Sequence, residues 1–281
     1  MKAGLHGVGS ASDAEQALRE RDQLALSART PREMPSRVSY PPSRTGLVRV
    51  ACRTYASRVS SKPEESRIER YRCLRAAGKQ LITKMYDAAK GPQYDIIKAA
   101  KKLTLPLQDR TLIFDGETDT TALADFYLHE MRFGGKRIVD VLADSGAELT
   151  PDERDLLAAH RNSRCSLFAI ISADSVACQV NLRDLLEPAA PEVACTDINL
   201  SKCSAAKPGD LLFARLLHCA DIDMSAGLFF AFGAIHRIGL LNAYEARMRT
   251  VAEKERAQRR YVFFYLKNRE LGMPQAYEEV V

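Results

Sequence analysis

The stretch that most constrains the fold is residues 207–233, KPGDLLFARLLHCADIDMSAGLFFAFG, the most apolar part of the chain. It opens on Pro208-Gly209-Asp210, where Gly209 can supply the positive φ that a type II turn requires. Such a turn leads into extended chain, so 211–219 and 228–232 are expected to be the central two strands of a small β-module. The first run, LLFARLLHC, has no β-branched residue, and Leu212, Phe213, Leu216 and Leu217 also fit a helix face. The turn before it and the short extended runs around it favour a strand. Read so, Leu212, Ala214 and Leu216 point one way and Leu211, Phe213 and Leu217 the other. Both faces are apolar, which puts the strand between the module's interior and a covering helix.

Three more runs precede it: 166–173 (SLFAIISA), 176–182 (VACQVNL) and 193–200 (VACTDINL), each bounded by turn residues and spaced as a meander. Together they give about five strands, enough to curl into a small barrel. The flanks read as helices. Ile68, Tyr71, Leu74, Leu81, Ile82 and Met85 keep the helical period until Gly91-Pro92 breaks it, and a shorter helix ends before Pro106. Thr111-Leu112-Ile113-Phe114 is a candidate strand. Thr118 or Asp119 can cap a helix whose face is Leu123, Phe126, Tyr127 and Met131, closed by Gly134-Gly135. Thr150-Pro151-Asp152-Glu153 is a capping box with proline at the first helical position. Helical period returns from Leu240 to Val251 and from Ala257 to Leu271, ended by Gly272 and Pro274.

The expected class is therefore α+β. Residues 63–163 form a helical N-terminal half, 164–235 a five-stranded antiparallel barrel-like module, and 236–281 helices packed on it. Residues 1–62 are rich in Ser, Arg, Ala and Pro and read as a disordered leader. Within them 47–61 is Arg- and Ser-rich and free of acids, as transit peptides are, but Asp13, Glu15, Glu20 and Asp22 stand upstream.

The order LTPDERDLLAAHRNSRCSLFAII, then VNLRDLL, then KPGDLLFARLL resembles a segment of uncharacterised bacterial proteins, some of which carry a C-terminal SEC-C zinc motif. The resemblance implies a helix followed by a small barrel and brings no known activity. The Cys-rich zinc tail is missing here, so no metal role transfers.

The formal charge of +5 misleads about partners. Residues 1–62 hold eleven Lys/Arg against five Asp/Glu, which leaves the remainder close to neutral. The seven cysteines are odd in number with no secretory signal before them, which points to reduced thiols in a cytoplasmic protein. No apolar run approaches the roughly 20 residues that span a bilayer, so no membrane partner is expected. Cys195 and Cys203 are eight apart and His218 adjoins Cys219, but zinc sites use close Cys-x2-Cys pairs, and none exists. Asp115, Glu117 and Asp119 alternate as in a calcium loop, yet Thr120 and Phe126 stand where such a loop needs Gly and Glu. No G-x-S-x-G elbow, Walker A or G-x-G-x-x-G is present. His129 and His160 read as surface or satisfied core histidines. No catalytic residue, cofactor or metal ligand is assigned.

One stretch hints at nucleic acid. Arg256, Arg259, Arg260, Lys267 and Arg269 are candidate phosphate contacts, and Tyr261, Phe263, Phe264 and Tyr265 could stack on bases. Against this, acidic residues alternate with the basic ones, and Tyr261 and Phe264 fit the apolar stripe. The leading expectation is a non-catalytic interaction protein with a macromolecular partner. The alternatives are a nucleic-acid-associated protein using the C-terminal basic helix and a metal-dependent enzyme built on His218, Cys219 and Cys195.

Overall fold

The structure is a computed structural model that describes residues 63–109, 111–203 and 206–273. The leader expected at 1–62 lies outside the described residues. Helix α1 (Pro63–Ala88) ends before Gly91-Pro92, and α2 (Ile96–Lys102) is capped by Asp95, whose carboxylate accepts from the Ile97 amide at 2.9 Å. A two-residue-strand hairpin, β1 (Leu107–Gln108) and β2 (Thr111–Leu112), leads to α3 (Glu117–His129), α4 (Ile138–Asp144) and α5 (Pro151–Asn162). At α5 the capping box is formed. The Thr150 hydroxyl accepts from the Glu153 amide at 3.2 Å, and the Glu153 carboxylate accepts from the Thr150 amide at 2.7 Å. Lys84 of α1 adds an ion pair to that carboxylate at 2.8 Å, which ties the two helices together.

The cap expected at Thr118 or Asp119 is not made. Gly116 holds the cap position of α3 and no side chain bonds there. The Asp119 carboxylate is buried instead and accepts from the Tyr265 hydroxyl at 2.6 Å and the Asp115 amide at 3.1 Å. Tertiary contact outcompetes the local cap.

Strands β3 (Cys165–Asp174), β4 (Gln179–Asp184), β5 (Val193–Thr196), β6 (Leu211–His218) and β7 (Asp223–Phe232) close into a barrel in the order β3-β4-β5-β7-β6. Four of the pairings are antiparallel and β5–β7 is parallel, so the sheet is mixed where an antiparallel module was expected. Parity is the reason: directions cannot alternate all the way round a ring with an odd number of strands. The run at 193–200 also ends early. Asp197 caps the one-turn helix α6 (Ile198–Ser201), accepting from the Asn199 and Leu200 amides at 3.0 Å, so the strand stops at Thr196. The run at 176–182 enters the sheet only at Gln179, because Asp174 accepts from the Val176 and Ala177 amides at 2.9 Å and makes a turn. The Pro208-Gly209 turn forms as expected, with Gly209 at φ +92° and the Asp210 amide donating to the Lys207 carbonyl at 3.0 Å.

The alternation along β6 holds. Leu212, Ala214 and Leu216 join Phe168, Ile170, Val180, Leu182, Cys195, Phe229 and Ala231 in the barrel interior, plugged by Leu200, Cys203 and Ala206. Leu211, Phe213 and Leu217 face outward into a second, larger core shared with the helices. After a 3-10 turn (Ala234–His236), α7 (Arg237–Met248) and α8 (Glu253–Leu271) complete that layer. The rings of Phe213 and Phe264 stack at 4.4 Å between centroids, and Tyr261 meets Phe126 at 5.2 Å and donates to the Ala122 carbonyl at 3.0 Å. Each buried ring removes enough apolar surface to be worth about 2–3 kcal/mol.

Helix α1 fastens the opposite side with two arginines. Arg70 pairs with Asp152, Asp155 and Asp221, and Arg75 pairs with Asp197 at 2.8 Å while donating to the Tyr71 hydroxyl at 2.8 Å. No helix among the described residues is long and apolar enough to cross a membrane.

Candidate functional site

The outward face of β6 carries one residue that the apolar pattern does not explain. Arg215 shares that face with Phe213 and Leu217, opposite a register shift in the β6–β7 ladder between Ala214 and Leu216. It is 1% exposed. A buried guanidinium needs carboxylates, and α3 supplies them. Nε and Nη2 donate to the two Asp125 oxygens at 3.1 Å each, Nη2 also donates to Glu130 at 2.7 Å, and Nη1 reaches the Ser163 hydroxyl at 3.3 Å. Burial works against the Arg215 charge, but Asp125 and Glu130 outweigh it and hold its pKa well above the ordinary guanidinium value.

Beside this clamp, the His129 and His160 rings stack face to face, 4.7 Å between centroids and 3° from parallel. Burial, and then the Arg215 charge, push both imidazoles down, His160 to about 4. Both are neutral near pH 7, so the 3.9 Å approach of His129 Nε2 to Asp125 is not an ion pair. Each ring keeps a buried Nδ1 with no hydrogen-bond partner. They are therefore neither surface residues nor fully satisfied core residues. The Cys165 thiol lies 4.0 Å from Asp125, and burial pushes its pKa well up, so it stays protonated.

Two openings reach this cluster. A cleft of about 580 Å³ is lined by Asp125, His129 and His160 together with Ile82, Thr121 and Gly227. A smaller pit of about 180 Å³ is lined by Glu130, Ser163 and Cys165 with Arg164, Lys254 and Arg260. With its carboxylates engaged, its imidazoles neutral and its thiol protonated, the cluster is an electrostatic clamp between barrel and α3.

The sequence candidates fall elsewhere. Arg256 pairs with Glu253 at 2.8 Å, Arg259 with Glu255 at 3.9 Å, Lys267 with Glu270, and Arg269 with Asp115. Arg260 alone of the five lines the pit. Tyr261, Phe264 and Tyr265 are buried against the barrel and Phe263 is half-buried. Cys195 belongs to the barrel interior, whereas Cys219 packs on the outer core and His218 Nδ1 bonds Asp223 at 2.6 Å. Burial pushes the Cys219 thiol to about 12. Among the described residues no three His, Cys, Asp or Glu side chains are arranged to hold a metal ion, which removes the ligand set proposed for a metal enzyme.

A family model matches residues 65–278, which takes in nearly all of the described structure. The chain belongs to a family of unknown function, DUF7986. No curated protein and no solved structure matches it. Membership in DUF7986 agrees with the resemblance to uncharacterised proteins and assigns no activity.

Sequence reasoning missed the clamp, although one signal was available. Strand alternation puts residue 215 on the same side as 211, 213 and 217, so a covered face implied a buried arginine in need of acids. Which acids would meet it was not readable, since Asp125 lies 90 residues away and Glu130 lies 85 away.

Proposed function

We propose that this DUF7986 member is a non-catalytic binding protein that seats an amphipathic helical segment of another protein on the groove between α7 and α8. One observation carries the reading. The groove, of about 920 Å³, has an apolar floor of Met248, Val251, Val262, Phe263 and Leu266, and a rim bearing charges of both signs, Arg247, Arg259 and Lys267 with Glu255 and Glu270. An apolar stripe edged by mixed charges suits a partner helix of the same pattern. It suits a polyanion poorly, because Arg259 and Lys267 are already paired with Glu255 and Glu270. Ile235 and Ile238, before and at the start of α7, are 89% and 74% exposed.

The same reading places the protein in a bacterial cytoplasm. Among the described cysteines no disulfide forms, which supports a reducing compartment. The division at 63–163, 164–235 and 236–281 is taken as one binding unit, supported by a buried cluster with members in each part.

A photoreactive residue at the exposed Ala246 tests the proposal in cells. The expected result is a discrete protein adduct that the substitution Ala243→Arg abolishes while the circular dichroism spectrum stays unchanged. Adducts that persist with Ala243→Arg overturn it, and adducts removed by nuclease move the assignment to the nucleic-acid alternative.

A further inference from the structure

We propose that the pit where the end of α3, the start of β3 and the first half of α8 meet is a binding site for a phosphate-class oxyanion, either inorganic phosphate or a small phosphomonoester. Arg132, Arg137, Arg164, Lys254 and Arg260 line it, and Glu130 is the one acidic side chain in its wall. Glu130 is already committed, since its carboxylate is held by Arg215 at 2.7 Å. Arg137 is committed too, forked onto Asp140 at 2.8 and 2.9 Å. Arg164 pairs with Glu187 and lies 3.6 Å from Asp184. Among the described residues no carboxylate comes within ion-pair distance of Arg132, Lys254 or Arg260. Three cations without an acid thus border one small enclosed volume.

A second observation points the same way. Arg164 is held below the ordinary guanidinium range, first by burial, and Arg260 lowers it further in spite of Asp184. Arg164 and Arg260 both line the pit, and an anion bound there would offset their repulsion. Several separate cationic donors line the one pit, and an oxyanion with three or more oxygens can accept from more of them than a carboxylate with two. The planar guanidinium fork can also donate to two oxygens of a tetrahedral phosphate at once.

The pit's shape limits the ligand. A volume of about 180 Å³ admits one charged group end-on, while a nucleic-acid backbone needs a track of successive cations. The other basic residues of α8 do not continue a track, being paired with Glu253, Glu255, Glu270 and Asp115. The pit shares no lining residue with the α7–α8 groove, so its test is independent of the partner-helix reading.

Calorimetric titration of the full chain with potassium phosphate, against potassium chloride at matched ionic strength, decides the matter. Saturable binding of phosphate is expected, weakened roughly tenfold or more by Arg260→Gln and by Lys254→Gln, and unchanged by Arg269→Gln, whose partner is Asp115. Lys254 is exposed, so its variant tests the site even if Arg260→Gln folds poorly. Phosphate indistinguishable from chloride overturns the proposal, as does an equal loss with Arg269→Gln. Glycerol phosphate and a pair of short oligonucleotides, with a 5′-phosphate or a 5′-hydroxyl, separate the sources. Tighter binding of inorganic phosphate or of glycerol phosphate supports the pit. Equal binding of the two oligonucleotides with no response to inorganic phosphate overturns it in favour of backbone contacts.

Discussion

The two faces of β6 are both buried, and they are buried in different ways. The inner face, Leu212, Ala214 and Leu216, carries no charge of its own and packs with the apolar side chains of the barrel interior. The outer face sets Phe213 and Leu217 around Arg215, whose charge is met by Asp125 and Glu130 of the helical layer. Apolar burial is non-directional and tolerates exchange of like-sized side chains. Ionic burial is tolerable only with all partners in place, so it fixes where α3 sits against the barrel. The inner face makes the barrel close. The outer face determines which helix covers it and in what register, and it gathers the polar groups that reach the surface at the cleft and the pit.

The sharpest way to break this contrast is Arg215→Met, which strands two carboxylates and is expected to cost about 3–5 kcal/mol in urea unfolding. Replacing all three members, with Asp125→Leu and Glu130→Met added, should recover most of that loss. A triple variant as unstable as the single one would show that the charges stabilise the junction outright. On the inner face, Leu212→Ala is expected to lose about 3 kcal/mol through the cavity it leaves, and Leu212→Met under about 1.5 kcal/mol.

The histidine pair gives the outer face a pH dependence that the inner face lacks. Burial holds His160 at about 4 in the folded state, below the ordinary imidazole range. The unfolded chain therefore takes up a proton that the folded chain refuses. Stability is complete at neutral pH, declines as pH falls from about 6.5 towards 4, and loses about 3 kcal/mol across that window. His129 shifts in the same direction. Carboxylates such as Asp140, held low chiefly by the Arg137 bond against the opposing effect of burial, give way only at lower pH. Chemical denaturation at stepped pH measures the slope, and His160→Gln should flatten it. The smallest effect belongs to the surface: Arg259→Gln removes an exposed pair and should change stability by less than about 1 kcal/mol.

Much of the fold was legible. The Thr150 capping box, the Gly209 turn and the two-faced β6 were all readable, because each depends on residues within a few positions of one another. Where the reading failed, a competing contact had won. Asp119 was taken for a cap and instead serves Tyr265, 146 residues further on. The aromatic residues of α8 looked available for stacking, yet Tyr261 and Phe264 fill the seam over Phe213. Of the basic candidates, only Arg260 lines the pit, while Arg256, Arg259 and Lys267 pair with acids three or four positions away and Arg269 with the distant Asp115.

By itself the sequence determined the periods, caps and turns, and hence a helix-flanked barrel with both faces of its middle strand covered. Tertiary structure alone decided the parallel β5–β7 closure, the acids that meet Arg215, and the burial of His129 against His160. The physical reason is range. Backbone preference and side-chain alternation act over a few residues, whereas a buried charge takes its partners from whatever the closed chain brings beside it.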